Sequence, residues 1–576
     1  MYKMINQLYF IINERAFFVY YVIFLFLILA LIDLLGVGMI IPYMQIVLNQ
    51  QELTFVSELE FLNFFNQYEY NKKIIYFSSF LFFLFLFKTV LLFFISYILV
   101  SFESNLSIDV KKKLIKSYLF QEYKDFINFK SERALENIVN LSAYVSKSVL
   151  IPILKILSDL IIIILISIFL AYLNFIVFIS VISFLIICVL AYNLYFKNLL
   201  FESGKNMSLS QQNIIKNLKE SLQGYKEFTV LNLMPYFLSK FNKSFNLMLK
   251  STIYNRFSKM IPSLLAELLL ISFFISMILL SLIFQEKNLM LEIPTFGAFA
   301  YAAFKIFPKF TSISLCLAQI NTGKYAIPII YEDLKIANNK LLITEGDKLK
   351  KNENHNLEFK KINLVNISFS YENSKIKVLD NINCQIFSNK INGIIGKSGS
   401  GKTTLLDIIL KFLKPSSGNI FLDNSIDLVN DVEIINWYSH ISYIPQKITL
   451  INGSILENIT FSKDLNKIDM NKFKKSLHLS KCDEFISKIS KGYDYIIGES
   501  GIKLSGGQLQ RIALARSFYQ DKKIIILDES TSALDSKIEN QILMDLNKIK
   551  KDYTIIIISH KKNILDYCDN VINIDN

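Results

Sequence analysis

Long apolar runs fill the first half of the chain, and short ones divided by polar stretches fill the second. A bilayer-crossing helix needs roughly 20 apolar residues. Six stretches reach that length: 17–44, 74–100, 150–172, 175–196, 260–284 and 294–317. Only Leu173 and Asn174 separate the third from the fourth, which predicts a tight helical hairpin. Two long hydrophilic segments, 101–147 and 197–259, read as helical continuations. They are rich in lysine: Lys111, Lys112, Lys113 and Lys116 in one, Lys216, Lys219, Lys226 and Lys240 in the other. Basic residues collect on the cytoplasmic side of membrane proteins. That rule places the N-terminus, both long segments and the C-terminal half in the cytoplasm. Phe55, Leu59, Leu62 and Phe65 form a helical stripe suited to the outer membrane surface, although a partly ordered loop fits residues 55–68 equally well. After residue 325 the chain turns polar, giving a linker to about 355.

From residue 356 the alternation of short apolar runs and polar helices predicts an α/β domain. Ile391–Ile395 reads as a strand. Gly396-Lys397-Ser398-Gly399-Ser400-Gly401-Lys402-Thr403 follows it directly, and then a helix beginning near Thr404. This is the P-loop pattern in the setting it requires. Glycines turn backbone N–H groups toward phosphate oxygens, and the helix N-terminus favours the anion. Lys402 is expected to reach the β- and γ-phosphates, and Thr403 to place its hydroxyl on Mg²⁺. A second buried strand ends in Asp528-Glu529. Two carboxylates at a strand end suit Mg²⁺ binding by the first and water activation by the second.

Leu504-Ser505-Gly506-Gly507-Gln508 lies between those two motifs and resembles the signature of ABC transporters letter for letter. The resemblance covers about 220 residues, and further elements fall in order along them. Tyr371 resembles the aromatic that stacks on adenine, and Gln446 the Q-loop glutamine. Ser532-Ala533-Leu534-Asp535 resembles the D-loop, and His560 the switch histidine. Gly498-Glu499-Ser500-Gly501 is similar to the exporter-specific loop. The resemblance implies an ATP site formed by Tyr371, the P-loop through Thr404, and Gln446. Ser505, Gly506, Gly507 and Gln508 would be contributed from a second copy. It implies Mg²⁺ held by Thr403, Gln446 and Asp528, with Glu529 and His560 catalytic. A homodimer follows, because one membrane domain with one ATPase domain is half of such a machine. The expected fold is a six-helix exporter membrane domain over 1–324, a linker over 325–355, and an ABC ATPase domain over 356–576. Residues 220–231 resemble the stretch near a coupling helix.

Composition narrows the partners. Hydrophobic residues make up 52% of the chain, too many for a soluble protein of this size. The formal charge of +13 sits mostly in loops beside apolar runs, which fits membrane topology better than a nucleic-acid partner. The first apolar run is too long for a cleaved signal peptide. Five scattered cysteines and four dispersed histidines give no metal-ligand spacing.

Ionisable residues inside the spans are the clue to cargo, since charge is costly there. They include Asp33, Lys88, Asp159, Glu267, Lys305 and Lys309. A cavity lined by Lys88, Lys305 and Lys309 would suit a phosphate or pyrophosphate head group. Alternatively these lysines pair with the acids as structural contacts. The first span, with Ile32-Asp33-Leu34-Leu35-Gly36-Val37-Gly38, and the sixth, with Phe304-Lys305-Ile306-Phe307-Pro308-Lys309, resemble bacterial lipid-linked oligosaccharide flippases of the PglK type. Those relatives carry arginine at comparable places. Lysine keeps the charge without the bidentate fork. The resemblance implies transport of a polyprenyl-pyrophosphate oligosaccharide across the bacterial inner membrane. Export of another amphiphile, such as a lipopolysaccharide precursor, peptide or drug, and an ATP-gated channel or regulatory ATPase remain alternatives.

Overall fold

A computed structural model describes residues 2–12, 16–47, 69–127, 129–173, 175–283, 289–336, 359–371, 376–397, 399–423, 426–428, 434–498, 501, 503–531 and 534–575. They form two units, one of residues 1–121 and 128–351, the other of 122–127 and 352–576. Residues 55–68 lie outside the described residues.

Helices build the first unit. Ala16–Gly38 continues into Ile40–Val47 after a one-residue break, and Tyr70–Leu119 is a single helix of 50 residues. Ser131–Glu136 opens a third helical path, which runs through π-helical turns at Asn137–Leu141 and Tyr144–Leu150 into Ile151–Leu173. Phe175–Gln223, Met234–Ile283 and Leu289–Gly323 follow. Among the described residues, Phe17–Val47, Tyr70–Leu119 and Tyr144–Tyr172 are long and apolar enough to cross a membrane. The expected spans at 175–196, 260–284 and 294–317 fall on the last three helices, where some side chains and residues 284–288 lie outside the described residues.

Large and small apolar side chains interleave in the core of this unit. Val22, Phe26 and Ala30 meet Ile162 and Ile166, with Ala302 and Ile306 closing the cluster. The alanines let helices approach so that the larger residues fill the gaps. Gly204 marks a closer crossing: a Cβ there would lie 2.2 Å from the Thr322 carbonyl oxygen. Phe93, Phe94, Tyr97 and Leu194 point outward and are exposed. A water-facing surface would not carry so many aromatic groups, whereas lipid or a partner helix accepts them.

Two sheets build the second unit. β1 (Lys361–Phe369), β2 (Leu379–Phe387), β4 (Ser417–Leu422) and β5 (Ile426–Asp427) form an antiparallel sheet in the order β2-β1-β4-β5. β3 (Ile391–Ile395), β6 (Ile441–Ile444), β7 (Ile524–Asp528), β8 (Thr554–Ile558) and β9 (Asn570–Asn573) form a parallel sheet in the order β6-β7-β8-β3-β9. β7 and β8 are buried at every position, as parallel strands covered on both faces must be. Their isoleucine-rich sequences follow from that burial. All five strands run the same way, so the turns after β3, β6, β7 and β8 meet at one edge. In open parallel sheets ligands bind along the carboxyl ends of the strands.

Candidate nucleotide site

The phosphate loop sits between β3 and the helix Lys402–Ile409. Gly399 and Gly401 have φ of +85° and +93°, which favour glycine. Gly401 also has no room for a side chain: a Cβ would lie 2.7 Å from Leu379 Cδ2 and 3.0 Å from the Val378 oxygen. Lys402 Nζ donates to the carbonyl oxygens of Gly396 and Lys397, each at 2.7 Å. The ammonium group is thereby held over the loop's own backbone. Thr403 is exposed beside it, and Thr404 is buried with Oγ1 3.3 Å from the Tyr371 hydroxyl. Ser398 lies outside the described residues.

Gln446 follows β6, Asp528 ends β7, Glu529 comes next, and His560 follows β8. Gln446 Nε2 donates to Glu529 Oε2 at 2.6 Å, and His560 Nδ1 lies 3.4 Å from Glu529 Oε1. One carboxylate is therefore gripped from two other strand ends. Glu529 has a φ of +47°, a left-handed conformation that costs a non-glycine residue of order 1 kcal/mol or more. Tyr443 donates its hydroxyl to Asp528 Oδ2 at 3.2 Å. Burial, and then the neighbouring Glu529 charge, push the Asp528 carboxyl above its ordinary range, while the Tyr443 bond pulls it back. A buried acid beside a like charge suits a divalent cation.

Asp407, on the helix after the loop, feels the same field. Burial, followed by repulsion from Asp528, pushes its pKa up to about 6 from 3.8. A raised carboxyl pKa means the folded state keeps a proton the unfolded chain has already released. Stability from this group is therefore complete below about pH 4 and falls as pH rises toward 6. Asp407→Asn is expected to raise stability at pH 8 by roughly 2–3 kcal/mol and to change it little at pH 4. Thermal unfolding at the two pH values checks this. An equal shift at both would contradict the cause given.

The signature residues form a helix start. Ser505 caps Gly506–Gln520: its Oγ accepts from Gln508 N, and Gln508 Oε1 accepts from Ser505 N at 2.9 Å. This reciprocal box satisfies two otherwise free donors. The Ser505 hydroxyl still has its own proton to donate. Gly506 leaves the N-terminal N–H groups uncovered, so this end can meet an anion. Asp535 caps Ser536–Ile549 by position without a side-chain bond, and Leu534 is buried. Ser532, Ala533, Glu499 and Ser500 lie outside the described residues.

A family model described as "ABC transporter" matches residues 379–532, the stretch from β2 to just past Glu529. The solved structure of a bacterial Atm1-family ABC exporter with ATP bound superposes with a TM-score of 0.74 at 15% identity, covering 98% of this chain and 94% of that one. Residues 379–532 thus match the ABC transporter family model, and the chain has the fold of an ABC exporter. An ATP-dependent lipid A-core flippase of Photorhabdus laumondii is 27% identical over 372 residues, 65% of this chain and 62% of the flippase. The chloroplastic ABC transporter B family member 29 of Arabidopsis thaliana is 38% identical over 200 residues, 35% of this chain and 31% of that protein. These matches thus span 62% or less of either relative.

One feature of the second unit has no motif to announce it. Residues 122–127 group with the second unit although they follow the helix Tyr70–Leu119. Tyr123 stacks on Phe412 with ring centroids 4.8 Å apart, and joins the cluster containing Tyr438 and Tyr443. Tyr123 and Phe126, aromatic residues in a lysine-rich stretch, were the available signal. Residues 225–230 form a short helix with no buried residue.

In the membrane unit, Lys88 Nζ hydrogen-bonds to Asp33 Oδ1, and Lys305 Nζ lies 3.4 Å from the same oxygen. Lys309 Nζ donates to Asp159 Oδ1 at 2.8 Å. Lys305 and Lys309 share a helix face yet serve different acids, so the three lysines do not form one cluster. Asp33 and Asp159 are buried, and Glu267 is exposed.

Proposed function

We propose that this chain hydrolyses ATP to move an amphiphilic, anionic lipid across a membrane, working as a homodimer in the bacterial inner membrane with its ATPase in the cytoplasm. The observation that supports it most is the grip on Glu529 by Gln446 and His560 beside the phosphate loop. A carboxylate so held can take a proton from water attacking a γ-phosphate. Lys402 would leave the loop carbonyls in part to meet the β- and γ-phosphates. Tyr371 would turn its ring to the adenine. The Ser505 hydroxyl and the N–H groups of the Gly506–Gln520 helix would close on the γ-phosphate from the second copy. Thr403, Gln446 and Asp528 would hold Mg²⁺, which when bound neutralises charge on the β- and γ-phosphates. Closure of the two ATPase units then drives the helices between two arrangements.

The charge balance within the membrane supports an anionic cargo. Two lysines share Asp33, leaving one positive charge in excess among the described residues, and Lys305 keeps partial exposure. Uncompensated charge at this depth is costly unless an anion completes it. Lys305 Nζ also lies 5.3 Å from the Tyr301 ring centroid, so an amphiphile would meet an aromatic wall beside the charge. The substrate reading that best suits this is a lipid-linked polyprenyl-pyrophosphate oligosaccharide. A second reading, a phosphorylated lipid A-type glycolipid, is favoured by the match to a lipid A-core flippase.

The test is ATP hydrolysis in liposomes carrying a polyprenyl-pyrophosphate glycan, a lipid A-type glycolipid, or a neutral glycolipid. The pyrophosphate lipid is expected to stimulate most. In Lys305→Gln, which removes the excess charge and leaves the Lys88–Asp33 pair intact, the ratio of stimulated to basal hydrolysis is expected to fall to about one. Equal stimulation by the neutral lipid would remove the anionic reading. Preference for the lipid A-type glycolipid would select the second.

A further inference from the structure

The phosphate loop is held from behind by a carboxylate that none of the nucleotide motifs contains. β9 pairs in parallel with β3, with Ile394 opposite Ile572 and Ile395 opposite Asn573. The pairing continues one step further, where Ile574 N donates to the Ile395 oxygen at 3.0 Å. Asp575 therefore arrives beside the first turn of the loop. Its Oδ1 accepts a hydrogen bond from Lys397 N at 2.5 Å. Its own N–H donates to Asn573 Oδ1 at 3.1 Å, which fixes the backbone carrying the acid. A Cβ on Gly396 would lie 3.1 Å from the same Asp575 oxygen, so the acid approaches as closely as the missing side chain permits.

Lys397 is thus fixed on both sides. Its N–H points to Asp575, and its carbonyl accepts from Lys402 Nζ at 2.7 Å. Phosphate loops work because successive N–H groups are already aimed at the anion when it arrives. A first turn free to rotate would misplace both the later N–H groups and the carbonyls that seat Lys402. A hydrogen bond to a charged acceptor is stronger than a neutral one.

We propose that Asp575 is a positioning residue for nucleotide binding, whose carboxylate fixes the Lys397 peptide and so keeps the loop and Lys402 set for the phosphates. It does not touch the nucleotide. The inference rests on reading residues 396–403 as an ATP site, and it predicts a sign that simple electrostatics would reverse. A carboxylate acting directly on ATP would repel it, so removing the charge would tighten binding. A positioning carboxylate, once removed, weakens binding.

The experiment measures ATP hydrolysis against ATP concentration for the full chain in lipid nanodiscs. Asp575→Ala is expected to raise KM about three- to tenfold with kcat within about twofold, since loop order is needed equally before and during reaction. Asp575→Asn keeps an acceptor for Lys397 N–H and is expected to stay within about twofold of the wild-type KM. An unchanged or lowered KM in Asp575→Ala overturns the proposal. So does an Asn variant impaired as much as the Ala variant. Should Asp575→Ala not fold, Asn573→Ala, which keeps the acid but frees its backbone, is expected to raise KM in the same direction; no rise there overturns the proposal. Lys402→Ala separates the two levels. If the wild type binds ATP and Lys402→Ala does not, a normal Asp575→Ala sinks only this inference. If the wild type itself does not bind ATP, the site reading fails.

Discussion

Glu529→Gln retains ATP and hydrolyses it roughly 10²- to 10⁴-fold more slowly than the wild type, the range lost with a general base. Glutamine has nearly the same shape. Its amide oxygen can still accept from Gln446, whose Nε2 lies 2.6 Å from Glu529 Oε2. What it lacks is an oxygen able to take the proton of the attacking water. The loop, Lys402 and Asp528 are untouched, so ATP affinity stays near that of the wild type. The checks are phosphate release at saturating ATP and retention of labelled ATP after rapid desalting. Turnover within a few-fold of wild type would show that Glu529 is not the base.

Asp33→Ala destabilises the membrane unit by about 3–5 kcal/mol, the usual consequence of leaving a buried charge without its partner. Here the effect falls on two cations, because Lys88 and Lys305 share Asp33 Oδ1. Asp33→Asn has the same sign, since an amide keeps the volume but not the charge. Replacing all three together, as Asp33→Leu/Lys88→Met/Lys305→Met, restores most of the loss, because packed apolar groups need no compensation. Thermal unfolding in detergent and in nanodiscs measures each variant. A triple variant as unstable as Asp33→Ala would mean that volume, not charge, governs this site.

The fold class was legible because each of its signals is local. An apolar run of bilayer length, a glycine pattern between strand and helix, and Ser-Gly-Gly-Gln before an apolar helix each specify geometry within a few residues. The Ser505 capping box spans only four positions, so the same residues that suggested the signature also fix the helix start. Contacts between distant residues were not legible. Lys88 and Lys305 read as two walls of a cavity with Lys309, but helix packing sets them on Asp33 and sends Lys309 to Asp159. Helical spacing gave the shared face of Lys305 and Lys309 and could not say which acid each would meet. Asp575 is 178 residues from Lys397, and only the parallel pairing of β9 with β3 brings them together. Tyr123 was hidden for the same reason, since its aromatic partner Phe412 lies far along the chain.

The most direct measurement follows a fluorescent polyprenyl-pyrophosphate lipid across the bilayer of proteoliposomes, using a membrane-impermeant quencher. ATP hydrolysis at the Glu529 site drives lipid movement in this account. Protected fluorescence should therefore change only with ATP and Mg²⁺ and only in wild type, with Glu529→Gln indistinguishable from empty liposomes. Movement without ATP, or equal movement by Glu529→Gln, would contradict it.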